Sequence, residues 1–390
     1  MTEFDTRYMQ MAIKLAQRGI GSVEPNPAVG CIIVKSGQVI GRGWHKKIGG
    51  PHAEINALED CKKLGAEPRG ATMYVTLEPC CHQGKTPPCT DAIIAAGIGK
   101  VVVATIDPSE HANGKGIEQL RKAGIVVETG LCETQAKMLN APFIKFAATG
   151  KCWVIAKWAQ SIDGKMAWAD KTGERRWISN ELSRKDAHKL RCRAGAILVG
   201  ITTVISDDPL LTPRPSGSRG VIRIVLDNNL RIPLDCKLLA TAGKTPVLIL
   251  TAERAVQSDI EKAQKVTGKG AELLIVPAPQ GPAAHSGSNL HFLLDQLSKR
   301  SIWPLLVEGG PSVISSFLKA NLADEIRVYI APKILARLGA AGISEAMAGI
   351  TAGIGLHHVD IKRFGEDVCI SGLTENGVEL LGLKEGQQNE

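Results

Sequence analysis

Three side chains suited to one metal ion fall between residues 52 and 89, and each carries its own backbone requirement. His52-Ala53-Glu54 is followed by Glu78-Pro79-Cys80 and then by Pro88-Cys89. Zn²⁺ prefers nitrogen and sulfur ligands in a tetrahedron, and a hydrolytic site keeps its fourth position for water. One imidazole and two thiolates meet the first condition. Glu54 is a carboxylate that need not bind metal and can move a proton to a leaving amine. The local pattern places His52 and Glu54 in a helix's first turn, Cys80 at a strand end and Cys89 at a second helix start. Strands alternating with helices in this part of the chain indicate an α/β sheet with helices on its faces.

Taken singly, each element has a plain structural explanation. H-x-E occurs by chance in many proteins, and buried thiols are common in cores. Their conjunction and spacing indicate metal. Thr90 is expected to cap a helix over Asp91–Ala96 that Gly97 ends. Cys89 then sits at a helix N-terminus, where partial positive charge favours thiolate. Cys81 adjoins a ligand but points elsewhere on any regular backbone, so it is read as a bystander.

The length of 390 residues fits two domains, and a hydrophobic fraction of 44% is ample for two cores. No apolar run approaches the roughly 18 residues needed to span a membrane. The opening Met1-Thr2-Glu3-Phe4-Asp5 does not read as a secretory signal. Ten cysteines without paired spacing suggest a reducing, cytoplasmic setting, with two assigned to zinc and eight read as free thiols. The net charge of +8 is spread without blocks of like charge, and aromatic residues are 4% of the chain. Nucleic-acid binders concentrate positive charge and offer rings for stacking, so neither nucleic acid nor membrane is an expected partner. Phosphorylated small molecules suit the charge at least as well.

A helix is expected from Asp5 or Thr6 to Gly19, then a hairpin of Ala28–Val34 and Gln38–Gly43 turned at Ser36-Gly37. A helix over Ala53–Leu64 places His52 and Glu54 at its start, and strand Ala71–Leu77 delivers Cys80. Strand Val101–Ile106, a helix near Gly116–Ala123, strand Ile125–Glu128 and a closing helix Cys132–Phe146 complete an α/β domain. The organisation restarts after Thr149-Gly150. Trp153–Ala159, Ala196–Gly200, Val221–Leu226, Pro246–Leu250, Leu273–Val276, Pro304–Val307 and Glu325–Ile330 read as strands. Asn180–Arg193 and Leu290–Lys299 read as helices, and Pro277–Asn289 as a surface loop. The divisions are therefore 1–148, 149–384 and a polar tail at 385–390.

In the second half, Glu308-Gly309-Gly310-Pro311-Ser312 is strand, glycines, then helix. Such a turn can bring backbone N–H groups to a phosphate, or it can be only a turn. Gly200-Ile201-Thr202-Thr203 is a second strand ending in glycine and hydroxyls. Arg191 and Arg214 can grip a phosphate through planar guanidinium groups or be solvated surface charges. Trp177 can stack on a planar ring or fill the core.

H-x-E followed by P-C-x-x-C is the pattern of nucleobase deaminases, but here eight residues separate Cys80 from Cys89. With that gap the chain resembles the bifunctional deaminase/reductase family of riboflavin biosynthesis, from residue 5 to about 380. The matching stretches in the first half are Pro25–Gly30, Gly49–Glu54, Leu77–Cys80 and His82–Cys89. In the second half they are Ser161–Lys165, Trp177–Ser179, Leu190-Arg191, Val199-Gly200, Thr203, Asp207–Leu211 and Glu308–Gly310. The resemblance implies a cytidine-deaminase-like three-layer α/β domain followed by a dihydrofolate-reductase-like α/β domain. It implies zinc on His52, Cys80 and Cys89, with Glu54 as the catalytic proton shuttle. Asn26, His45, Lys85 and Thr86 would line the pocket for a phosphorylated pyrimidine. NADPH would meet Ala159, Trp177, Thr203, Asp207 and the turn beginning Gly310, Pro311, Ser312. Arg191, Leu211, Arg214 and Glu308 would contact the second substrate, and a homo-oligomer is expected.

The chain departs from the family in two places. Between Asp107-Pro108 and Gly114-Lys115-Gly116, residues Ser109–Asn113 differ from the family. Arg175 stands where the family usually carries a small hydroxyl residue, and can reach the substrate phosphate. The rival readings are a tRNA or nucleotide deaminase with an unrelated tail, and a basic zinc protein that binds nucleic acid. The first predicts no NADPH oxidation; the second predicts four metal ligands and no open site.

Overall fold

The computed structural model describes residues 2–83, 87–170, 177–214, 220–277, 288–340, 342–348 and 353–383. The chain divides into two compact units, Met1–Gly150 and Lys151–Glu390.

In the first unit, helix α1 (Glu3–Ala16) begins before the expected Asp5 or Thr6. Thr2 and Asp5 form a reciprocal capping box, each side chain accepting from the other's backbone N–H. Strands β1 (Gly30–Lys35) and β2 (Gln38–Trp44) pair as a hairpin, with Ser36 and Gly37 both at positive φ in its turn. Helix α2 (Ala53–Lys63), strand β3 (Thr72–Val75), helix α3 (Cys89–Ala95), strand β4 (Lys100–Val103), helix α4 (Lys115–Lys122) and strand β5 (Val126–Thr129) follow. The expected closing helix is two, α5 (Glu133–Leu139) and α6 (Ala141–Thr149). Pro142 has no N–H to continue the ladder, and Asn140 leaves helical geometry at φ −108°, ψ 18°. The break is put to use. Buried Asn140 accepts from the Ala28 N–H at 2.8 Å and donates to the Ala28 carbonyl at 2.9 Å.

The sheet order is β2-β1-β3-β4-β5, antiparallel through β2, β1 and β3 and parallel from β3 to β5. Period-2 alternation splits its side chains between two cores. Cys31, Ile33, Met73, Val75, Val101 and Val103 face α2, α3 and α4. Ile32, Val34, Tyr74 and Val102 face α1 and α5. The result is three layers, helix on sheet on helix. Helix α2 lies close against β2 because Gly43 has no side chain: a Cβ there would stand 2.1 Å from the Ala53 carbonyl oxygen.

The second unit runs β6 (Val154–Ser161), α7 (Glu181–Arg193), β7 (Ala196–Gly200), α8 (Ile201–Asp207), β8 (Ile222–Leu226), α9 (Lys237–Ala240) and β9 (Val247–Ala252). It continues with α10 (Glu253–Ser258), α11 (Ile260–Gly268), β10 (Glu272–Val276), α12 (Ser288–Lys299), β11 (Leu305–Gly309), α13 (Pro311–Lys319) and β12 (Glu325–Ala331). It closes with α14 (Ile343–Ala346), β13 (His357–Phe364), β14 (Asp367–Leu373) and α15 (Glu375–Leu381). Strands β10-β9-β8-β7-β11-β6-β12 are parallel, and β14 and β13 extend the sheet antiparallel. From β7 the chain steps outward to β10, then returns to lay β11 between β7 and β6. In open parallel sheets such a reversal opens a crevice at the strands' carboxyl ends. Residues after Gly200 are helical at once rather than a continued strand end. The β13–β14 hairpin was not expected; Asp360, Lys362 and Arg363 leave β13 no apolar run, and most of it is exposed. Most of the Pro277–Asn289 loop and the tail beyond 384 lie outside the described residues.

Asn140→Ala strands both Ala28 backbone groups in the interior, so the first unit should lose about 2–4 kcal/mol of stability. Native-state hydrogen exchange of the full chain checks this. Unchanged protection of the β1 amides would count against it.

Candidate functional site

In the first unit, His52 precedes α2 in extended conformation (φ −71°, ψ 171°) and Glu54 lies in that helix's first turn, 3% exposed. Asn56 holds the approach, donating to the carbonyls of Trp44 and Pro51 at 2.9 and 3.1 Å. Cys80 follows β3, and Cys89 is the first residue of α3, preceded by Pro88 as N-cap. Thr90 is not the cap. Its hydroxyl and N–H both donate to the Cys80 carbonyl, at 3.3 and 3.2 Å, tying the two cysteine segments together. The Cys89 N–H also donates to the Cys80 sulfur at 3.4 Å.

His52 Nδ1 stands 3.2 Å from Cys89 Sγ and 3.5 Å from Cys80 Sγ, and the three ligand atoms lie within 4.8 Å of one another. A tetrahedral zinc with bonds of about 2.0 Å to nitrogen and 2.3 Å to sulfur separates those atoms by about 3.5 Å. The donor set fits the ion in type and in size. The Cys89 thiol hydrogen-bonds the Cys80 sulfur, which holds the Cys80 pKa down and pushes that of Cys89 up. Burial pushes the Glu54 carboxyl up to about 7.

Asn26 and His45 are brought to the same place. His45 Nδ1 contacts the Pro51 carbonyl at 3.1 Å, so Nδ1 carries the proton and Nε2 accepts from the Asn26 amide at 3.3 Å. The His45 and His52 rings meet edge-on at 5.4 Å. Burial lowers the pKa of His45, which keeps that ring neutral. Lys85 and Thr86 lie outside the described residues.

Buried Glu78 has a role that the sequence motif alone does not reveal. Its carboxylate accepts from four backbone N–H groups: Asp107 at 3.3 Å, Gly114 at 2.9 Å, Gly116 at 2.9 Å and Ile117 at 3.3 Å. It thereby closes the 107–117 segment onto the strand end that carries Cys80. Cys81 is half-buried, its sulfur 3.9 Å from the His111 carbonyl.

In the second unit, the glycine turns after β7 and β11 adjoin at the crevice. Thr203, in the first turn of α8, reaches the second turn: a Cβ on Gly310 would stand 3.4 Å from its hydroxyl. Gly310 also has φ +37°, which disfavours any side chain. Pro311 and Ser312 open α13 directly beyond it. Ala159 lies near the end of β6, and Asp207 ends α8. Trp177 does not fill the core. Its ring is half exposed, with the Arg184 guanidinium 5.2 Å from the ring centre. Arg175 is outside the described residues.

Arg191 grips a carboxylate here: its Nε and Nη2 donate to Glu308 at 2.9 and 2.5 Å, and its Nη1 to the Thr212 carbonyl at 3.3 Å. Despite burial, Arg191 and Lys157 hold Glu308 down to about 2. Leu211 is buried at φ +51°, and Arg214 is exposed. Lys157 was missed as a site residue. Burial lowers its pKa beside Glu308, and its ammonium sits 5.4 Å from the Tyr329 ring centre. The available signal was one charge inside the apolar run Trp153–Ala159.

Comparison with known proteins bears on both halves. Residues 2–105 match the cytidine and deoxycytidylate deaminase zinc-binding region, and residues 152–370 match the RibD C-terminal domain. The riboflavin biosynthesis protein RibD of Aquifex aeolicus is 43% identical over 373 residues, covering 94% of this chain and 98% of the relative. The chain belongs to the RibD family. RibD of Escherichia coli is 38% identical, covering 94% of this chain and 98% of the relative. A solved structure of Acinetobacter baumannii RibD, 35% identical, superposes with a TM-score of 0.77 over 95% of this chain and 99% of that one. The Thermotoga maritima diaminohydroxyphosphoribosylaminopyrimidine deaminase/5-amino-6-(5-phosphoribosylamino)uracil reductase, 33% identical, does so with the same score and coverage. As a RibD, the chain is an enzyme with a zinc-dependent deaminase half and an NADPH-dependent reductase half.

Glu78→Gln replaces one acceptor oxygen with a donor that faces backbone N–H groups. The RibD chain should then lose about 2–4 kcal/mol of first-unit stability and bind zinc more weakly. Zinc retention during stepwise chelation measures this; a variant that holds its metal as the parent does would contradict it.

Proposed function

We propose that the first half hydrolyses the ring amine of 2,5-diamino-6-(5-phosphoribosylamino)pyrimidin-4-one and releases ammonia. The second half then reduces 5-amino-6-(5-phosphoribosylamino)uracil to its ribitylamino product. The observation that carries this reading is the placement of buried Glu54 beside the convergent His52, Cys80 and Cys89, in a chain whose other half brings the glycine turns after β7 and β11 together.

When bound to those three ligands, zinc supplies the acidity that gives water a near-neutral pKa. Glu54 takes a proton from the attacking water and hands it to the leaving amine. Burial raises the Glu54 carboxyl above the ordinary range, which helps it take up and then give back that proton. Asn26 and His45, with Lys85 and Thr86, hold the pyrimidine. Neutral His45 offers direction without a charge that would compete at the reacting carbon.

NADPH supplies the hydride of the second step, and hydride transfer needs positioning rather than a protein nucleophile. Ala159, Trp177, Thr203, Asp207, Gly310, Pro311 and Ser312 hold the cofactor. Arg191, Leu211, Arg214 and Glu308 hold the substrate. Glu308, fixed as a carboxylate on the Arg191 fork, is oriented to accept from sugar hydroxyls. The enzyme works in the cytoplasm as a homo-oligomer on phosphorylated pyrimidines, without nucleic acid or membrane. In support of the cytoplasmic setting, none of the ten cysteines forms a disulfide.

The test follows ammonia and NADPH absorbance together on the phosphoribosylamino-pyrimidine; ammonia release without NADPH oxidation would reject the two-step reading. Glu54→Gln should keep its zinc and lose ammonia release by about 10²-fold or more. Reduction of the deaminated intermediate should continue unchanged. Loss of both activities would contradict independent sites.

A further inference from the structure

Residues three apart on a helix share a face, and on α7 His188 precedes Arg191 by that interval. Arg191 is committed to Glu308 and the Thr212 carbonyl. His188 is not committed. Its ring is half-buried, its Nδ1 is shut off from solvent without a hydrogen-bond partner, and Nε2 is the nitrogen left open.

The charged groups acting on the ring are Arg191 on its own helix, Arg214 in the segment after α8, Glu308 on β11 and Lys157 on β6. Asp186, on the same helix, is engaged by the Tyr329 hydroxyl at 2.7 Å. Three cations against the two carboxylates of Glu308 and Asp186 still leave an excess of positive charge around a polar ring edge. An anion relieves that excess, and the substrate class of this half carries a phosphate.

We propose that His188 is a further substrate-contacting residue of the reductase half, presenting its Nε2–H as an uncharged donor to a phosphate oxygen alongside Arg191 and Arg214. The inference rests on the reading of the second half as the reductase. A second proton on the ring would put an N–H at shielded Nδ1, where no acceptor waits. Burial and the neighbouring Arg191 and Arg214 also lower the pKa of His188. The ring therefore works as a neutral donor, whose contribution does not change through neutral pH.

The test compares the full chain with His188→Ala and His188→Gln, using the deaminated, phosphorylated intermediate and its dephosphorylated counterpart. For the phosphorylated substrate, His188→Ala should raise the reductase KM about tenfold or more, with kcat within about twofold. His188→Gln keeps a neutral N–H donor and should stay within about threefold of the parent. The KM ratio of parent to His188→Gln should be flat from pH 6 to pH 8, and no variant should alter KM for the dephosphorylated compound. Should His188→Ala not fold, His188→Phe fills the space without a donor and takes its place. An unchanged KM without the donor, a Gln variant as impaired as Ala, or an equal loss on the dephosphorylated compound would each overturn the proposal. Failure of the parent chain to oxidise NADPH would instead reject the reductase reading itself.

Discussion

A parallel strand delivers the next segment to one edge of its sheet, and a helix that starts there adds unpaired N–H groups to the same edge. Both halves depend on this directionality. In the first, the segment after β3 carries Glu78, Pro79 and Cys80 to the helix starts of α2 and α3, so three metal ligands and the proton carrier arrive at one spot. In the second, β6, β7 and β11 lie side by side and parallel, and the reversal between β7 and β11 sets the starts of helices α8 and α13 next to each other. Reversing any one of these strands would carry its functional residues to the opposite edge of the sheet.

The metal triad is legible in the residues because an imidazole and two thiols at those spacings have few other uses. The central strands are legible for a similar reason. Buried on both faces, they must be continuous apolar runs, as Ala196–Gly200 and Leu305–Val307 are. The glycine turns at Gly200 and Gly310 could be located from sequence, but not that Thr203 joins them. That fact depends on which strands become neighbours.

Edges and breaks were harder to read. Among the described residues strand β13 pairs only with β14, so most of its side chains meet water and its pattern is charged. Nothing in such a segment separates an edge strand from a loop. Pro142 signalled the interruption of α5 and α6, but the use of Asn140 as a clamp on Ala28 needed the fold. Lys157 and His188 share this difficulty. A lone lysine in a strand and a lone histidine on a basic helix read as ordinary until β6, β11 and α7 are set against one another.

The grip of Glu78 on the 107–117 segment is made entirely with main-chain N–H groups. A carboxylate that recognises only backbone is indifferent to the side chains it holds. Ser109–Asn113 lie between the gripped positions. Their identities can drift while the anchored ends stay where they are. Glu78 thus makes this stretch of the deaminase open to innovation without risk to the metal site.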